Sequence, residues 1–264
     1  SIRQRWIEGF LKTQSPSQNA FLSPIFEERA DLVENPWRNA IQEMDDPLPP
    51  GKPIIDIYNR AGGHLLILGA PGSGKTTLLC QLTSDLLNLA DRQESEPIPV
   101  IFHLSSWATK KRPLADWLVD ELSARYNVSR KLGQSWIESD QILLLLDGLD
   151  EVARKYRLAC VQAINTYRTD HGLVPMVVCC RLDEYKMLTT RLSLPKAISL
   201  LPLQPQAINA YLSSTQGELG SVQTVLQQDP LLLEMATTPL MLKVLSLTYQ
   251  GKSTEDLPTT GSTE

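Results

Sequence analysis

From His64 onward, short continuous apolar runs alternate with longer segments of helical period: HLLILG at 64–69, IPVIFHL at 98–104, QILLLLD at 141–147, VPMVVCC at 174–180 and AISL at 197–200. None of these runs alternates polar with apolar residues, so each reads as a strand covered on both faces. Buried strands interleaved with helices over about 135 residues predict an α/β fold, a parallel sheet with crossover helices on both sides. After Leu200 the strand signals stop, and 206–213, 221–227, 231–236 and 239–249 read as short helices broken by Gly217, Gly220, Pro230 and Pro239. A small helical subdomain is expected there. Ahead of the sheet, Ile2, Trp6, Ile7, Phe10 and Leu11 fall at helical spacing, and a second helix is expected at 35–44 with Pro36 in its first turn. Four prolines and a glycine in 45–53 mark a linker. The expected organisation is therefore an N-terminal helical segment and linker at 1–53, a core at 54–202, a helical subdomain at 203–250 and a loose tail at 251–264.

Composition narrows the picture. The 264 residues are 42% hydrophobic and 21% charged, an ordinary globular balance that excludes wholesale disorder. A formal charge of −5 gives no basic stripe, so no direct nucleic-acid partner is expected. Cys80, Cys160, Cys179 and Cys180 have no paired C-x2-C spacing and read as reduced, structural thiols. The richest apolar stretch, 231–249, is interrupted by Glu234 and Lys243, so no membrane span is expected. With no secretory leader visible, the thiols point to a cytoplasmic setting.

The chemistry is concentrated in two loops. GAPGSGKT, running through Gly69, Ala70, Pro71, Gly72, Ser73, Gly74, Lys75 and Thr76, fits G-x4-G-K-[ST], and Thr77 joins it as a nucleotide-binding residue in the helix expected from about Lys75 to Leu89. Glycines let backbone N–H groups approach a polyphosphate, Lys75 reaches the β- and γ-phosphates, and the Thr76 hydroxyl is a Mg²⁺ ligand. A random chain of this length holds such a match on the order of one time in a hundred, and here a strand precedes it and an amphipathic helix follows, so nucleotide binding is the reading. The second loop is Asp147, Gly148, Leu149, Asp150 and Glu151 after the 141–147 strand. Asp147 at a strand end is suited to hold Mg²⁺ through its water shell, and either Asp150 or Glu151 to polarise the attacking water. Alone, the same residues also read as a turn in which Asp150 caps the next helix. Gly148 occupies the position where motor-type ATPases carry a Glu base, which points to slow, gated hydrolysis. His103, in the HLSSW segment at 103–107, sits at this edge too, as strand-end packing or within reach of Mg²⁺ waters. His64 and His171 have no ligand-spaced partners, and no zinc or iron site is expected.

Together, GAPGSGKTTLL, LLLLDGLDEV and VVCCRLDEY closely resemble the NACHT domains of the STAND class of signalling NTPases, with the likeness extending over 32–249. The resemblance implies a P-loop core of ASCE type, its five parallel strands ordered 2-3-4-1-5 when counted from the strand at His64. It implies that Arg181 contacts the γ-phosphate, that Pro239 of the helical subdomain closes over the base, and that Leu32, Val33 and Ile41, with Trp37, hold the base from upstream. It further implies an ATP/ADP-Mg²⁺ switch, closed with ADP and open with ATP, that self-associates when activated in signalling, in bacteria antiphage immunity. The base contacts leave GTP open beside ATP. The family continues into a winged-helix domain, sensor repeats and an effector, and these are unidentified partners here. A remodelling ATPase of AAA+ type and a P-loop small-molecule kinase are the competing readings.

Overall fold

The computed structural model describes residues 24–34, 51–91, 96–107, 112–214, 222–224, 226 and 230–249. The helices expected at 2–11 and 35–44, Trp37 and Ile41 within the second, most of the 45–53 linker, and the 251–264 tail lie outside the described residues.

The five apolar runs form β2 (His64–Gly69), β3 (Ile98–His103), β4 (Ile142–Asp147), β5 (Met176–Arg181) and β6 (Lys196–Leu200), all parallel where they pair. A sixth strand, β1 (Phe26–Glu28), joins β6 antiparallel, and the sheet runs β1-β6-β2-β5-β4-β3. The expected five-stranded, purely parallel sheet is therefore corrected to a six-stranded mixed one, and part of the segment expected to be helical is an edge strand. Phe-Glu-Glu gives no apolar run, because an edge strand needs only one buried side chain and its charges discourage further pairing. Phe26 is that side chain, and Glu28 lies 3.4 Å from Lys196 of β6.

Successive side chains of each central strand feed opposite layers, as a two-residue period requires. Leu66, Leu68, Phe102, Leu144, Leu146 and Val178 face a layer built with α3 (Leu114–Tyr126), α4 (Arg130–Glu138), α5 (Arg154–Asp170) and α6 (Leu182–Lys186). Leu65, Ile67, Ile101, Leu145 and Val177 face α1 (Ile54–Arg60) and α2 (Lys75–Ala90). All four cysteines are buried free thiols, and burial pushes the Cys80 and Cys160 thiols up to about 12.

A third, separate apolar cluster gathers Leu203, Ile208, Leu212, Val222, Leu226, Ala236, Leu242 and Leu245. It is built from α7 (Pro205–Ser214), α8 (Pro230–Met235), α9 (Pro239–Tyr249) and the helical residues 222–224, giving the helical subdomain expected after the sheet. Among the described residues no helix is long and apolar enough to cross a membrane.

Candidate functional site

Strand register brings the two chemical loops to one edge. Gly69 at the end of β2 pairs with Arg181 at the end of β5, and His103 pairs with Asp147 at the ends of β3 and β4. A parallel sheet presents all its carboxyl ends on one side, so loops far apart in sequence meet above it.

The 70–74 loop leaves β2 and turns directly into α2. Gly72 has φ +72°, a left-handed conformation that a side chain would strain, and an added Cβ would lie 2.9 Å from Leu240 Cβ. The α9 N-terminus thus rests on this loop, and the Leu240 N–H donates to Gly72 O at 3.3 Å. Lys75 Nζ donates back to Gly69 O at 3.0 Å and Ala70 O at 2.9 Å. Burial lowers the Lys75 pKa, with the negative charge of Asp150 opposing that shift. Ser73 Oγ is buried without a hydrogen-bond partner.

The Thr76 hydroxyl donates to Asp147 Oδ2 at 2.9 Å, and His103 Nδ1 stands 3.8 Å from the same oxygen. Burial raises the Asp147 carboxyl above its ordinary range, while the Thr76 hydrogen bond and His103 pull it back down. In the loop beyond, Gly148 takes φ +77°, and the Glu151 carboxyl folds over it, 2.9 Å from where a Cβ would sit. Asp150 does not cap α5. Its Oδ1 accepts the Arg181 backbone N–H at 2.9 Å, and its Oδ2 forms an ion pair with the guanidinium, 2.8 Å from Nε.

These groups line a cavity of about 440 Å³ between the sheet edge and the helical subdomain. Pro71, Gly72, Ser73, Gly74, Lys75, Thr76 and Thr77 line it from the loop, Asp147, Asp150, Glu151 and Arg181 from the strand ends, and Pro239 from α9. Gly69 and Ala70 lie behind it as acceptors for Lys75. Val33 is not brought there: it packs against the core layer that contains Leu32, and Pro24 reaches the cavity instead. Sequence reasoning missed Pro24, Tyr211 and Lys243 as lining residues. Lys243 carried a signal, a cation in the most apolar stretch of the chain.

The site can hold a polyanion by its glycine loop and by Lys75 and Arg181. Among the described residues, no three His, Cys, Asp or Glu side chains gather as a metal cage. The juxtaposed Thr76 and Asp147 oxygens do fit Mg²⁺, which takes few protein ligands and completes its shell with phosphate and water.

The sequence model of the NACHT domain matches residues 64–216, more than half of the chain. The chain belongs to the NACHT family. Membership implies NTPase activity in general, within the STAND class of P-loop NTPases. No curated protein matches the sequence. Among solved structures, this NACHT domain is similar to the Aeropyrum pernix ORC1 protein in complex with DNA, at TM-score 0.51 and 14% identity over 74% of this chain. It spans 56% of that protein. Drosophila ORC bound to DNA (TM-score 0.48, 16% identity, 94% and 67% of the two chains covered) and C. elegans PCH-2 (0.36, 16%, 64% and 46%) are also similar. Of these three, the Aeropyrum likeness has a TM-score above 0.5, and at 14% identity it bears on the fold alone.

Proposed function

We propose that this NACHT domain is a slowly hydrolysing ATP/ADP switch whose nucleotide joins the core, taken as residues 54–202, to the helical subdomain at 203–250. The observation that carries the reading is the shared cavity: the phosphate loop and α9 line it together and are tied by the Leu240 N–H to Gly72 O hydrogen bond. A ligand bridging two bodies changes their preferred arrangement when it gains or loses a phosphate, because its contacts differ between the two states. The order of the parallel strands, with β5 and its Arg181 between β2 and β4, supports an ASCE-type core.

In this reading the loop N–H groups and Lys75 hold the phosphates, and Thr76 and Asp147 hold Mg²⁺, which when bound offsets charge between the β- and γ-phosphates. Glu151, exposed and lining the cavity, is suited to orient water, Arg181 to meet the terminal phosphate, and Pro239 to cover the base. Family membership supports self-association on activation, and signalling of the antiphage kind is proposed with it. The DNA of the Aeropyrum complex is not carried over, given the net charge of −5. The test is the melting temperature with ADP, ATP and GTP, each with Mg²⁺, together with steady-state turnover. Stabilisation by both adenine nucleotides and turnover below about one per second, the floor of ordinary enzymes, are expected. Sustained faster turnover would favour a remodelling ATPase, and acceptor-dependent phosphorylation a kinase.

A further inference from the structure

Asp150 and Glu151 are neighbours in the acidic loop, yet their surroundings differ. The Glu151 side chain is exposed to the cavity, whereas that of Asp150 is only 7% exposed, its Oδ1 accepting the Arg181 backbone N–H and its Oδ2 ion-paired with the Arg181 guanidinium. A general base needs its carboxylate within reach of water, and an ion-paired, enclosed carboxylate is poorly suited to take a proton. The Arg181 side chain is 48% exposed, and among the described residues nothing accepts from its Nη1 or Nη2. Asp150 therefore holds the guanidinium at its Nε end as an ion pair and leaves both Nη groups unengaged beside the cavity that Arg181 lines, an arrangement suited to a phosphate.

The grip is braced from behind. Arg157 of α5, its side chain 13% exposed, donates from Nη2 to Asp150 O at 2.5 Å and from Nε to Val152 O at 2.8 Å, and its Nη1 pairs with Glu184 of α6. One guanidinium thus fixes the backbone on both sides of Glu151 and ties it to the helix that starts right after Arg181.

We propose that Asp150 is the positioning residue of Arg181, setting its guanidinium to distinguish a nucleoside triphosphate from a diphosphate, and that it is not the group that activates water. The inference rests on the reading that Arg181 meets the terminal phosphate. A plain structural ion pair would stabilise the fold and affect both nucleotides alike; a positioning pair acts on their ratio.

The experiment measures ATP and ADP affinity by calorimetry at fixed Mg²⁺, with single-turnover hydrolysis, for the unmutated chain, Asp150→Asn, Arg181→Lys and the double variant. The ratio of ATP to ADP affinity is expected to fall about 10-fold in each single variant, the size of one well-placed charged hydrogen bond. The double variant is expected to fall no further than Arg181→Lys alone, as coupled residues do. Should Asp150→Asn not fold, Arg181→Lys still decides, because a single ammonium cannot grip Asp150 and reach a phosphate together; an unaltered ratio there overturns the proposal. Abolished hydrolysis with an unaltered ratio in Asp150→Asn overturns it in favour of a base, and multiplying effects in the double variant overturn the coupling. If the unmutated chain binds neither nucleotide, the switch reading fails first and this inference with it; failure of the inference alone is seen only in protein that binds both.

Discussion

Replacing Gly72 with alanine tests the joint between the phosphate loop and the helical subdomain. The backbone there has φ +72°, and forcing an L-residue into the left-handed region costs roughly 1–2 kcal/mol. The new Cβ would also sit 2.9 Å from Leu240 Cβ and 3.2 Å from Leu240 Cδ2, and such overpacking costs about 1–3 kcal/mol. The two effects are independent in origin and together amount to roughly 2–5 kcal/mol. A loss near the middle of that range, about 3 kcal/mol, lowers the melting temperature of a chain this long by roughly 6–12 °C. The Leu240 amide, which donates to Gly72 O, should also exchange its hydrogen faster as α9 is pushed off the loop. Repeating the change in a Leu240→Gly background separates the terms: the steric part disappears and the backbone part remains, so measured against Leu240→Gly alone the Gly72→Ala loss is about half as large. A melting shift under about 2 °C with unchanged protection of the Leu240 amide would refute the close docking of α9 on the loop.

Three further outcomes are expected. Lys75→Ala removes the cation that lies across the loop carbonyls, and the stabilisation by ADP, about 2.7 kcal/mol at a hundredfold excess over Kd in the unmutated chain, should vanish from its melting curves. Asp147→Asn keeps an oxygen for the Thr76 hydroxyl and so keeps the fold, but titration of ATP affinity against Mg²⁺ should show a much weaker metal dependence; an unchanged dependence counts against Asp147 as a ligand. Burial and the charge of Arg168 lower the His64 pKa from 6.5 to about 4, so the unfolded chain gains that proton first and stability falls as pH drops through this window. Discounted for partial exposure, the loss is about 1–2 kcal/mol; urea unfolding of His64→Gln should show a flatter profile between those pH values, and an identical profile contradicts the assignment.

The parts of the fold legible in the sequence are those with a local cause. β2, β4 and β5 announce themselves because strands covered on both faces must be apolar at every position, and GAPGSGKT because its glycines answer a backbone requirement within eight residues. What escaped depends on long-range placement. β1 is three residues long with one buried side chain, and only its pairing with β6 makes it a strand. Val33 packs into a core layer as any apolar residue would, and nothing in its neighbours marks which side of the chain faces the cavity. Asp150 and Arg181 were both visible as candidates, but the bond between them follows from β4 and β5 being adjacent in the sheet, a fact of topology rather than of pattern.

The charge balance of the cavity shows why that bond matters. Lys75, Arg181 and Lys243 face Asp147, Asp150 and Glu151 around one space, so the formal charges cancel and net attraction cannot explain binding of a polyanion. What remains is segregation. Asp150 is neutralised by Arg181, while the Thr76 hydroxyl hydrogen-bonds Asp147 without cancelling its charge, which is left for a cation to offset. The loop amides and the Nη edge of Arg181 then present positive ends to the cavity, at close range where the local dielectric is low and orientation outweighs net charge. A Mg²⁺ ion beside Asp147 would bring two positive charges to a site whose side chains sum to zero. Affinity for nucleotide should accordingly depend more on the cation, and on the pairing of Asp150 with Arg181, than on ionic strength. Strong weakening of ADP binding by monovalent salt at constant Mg²⁺ would show that net charge, and not this segregation, governs the site.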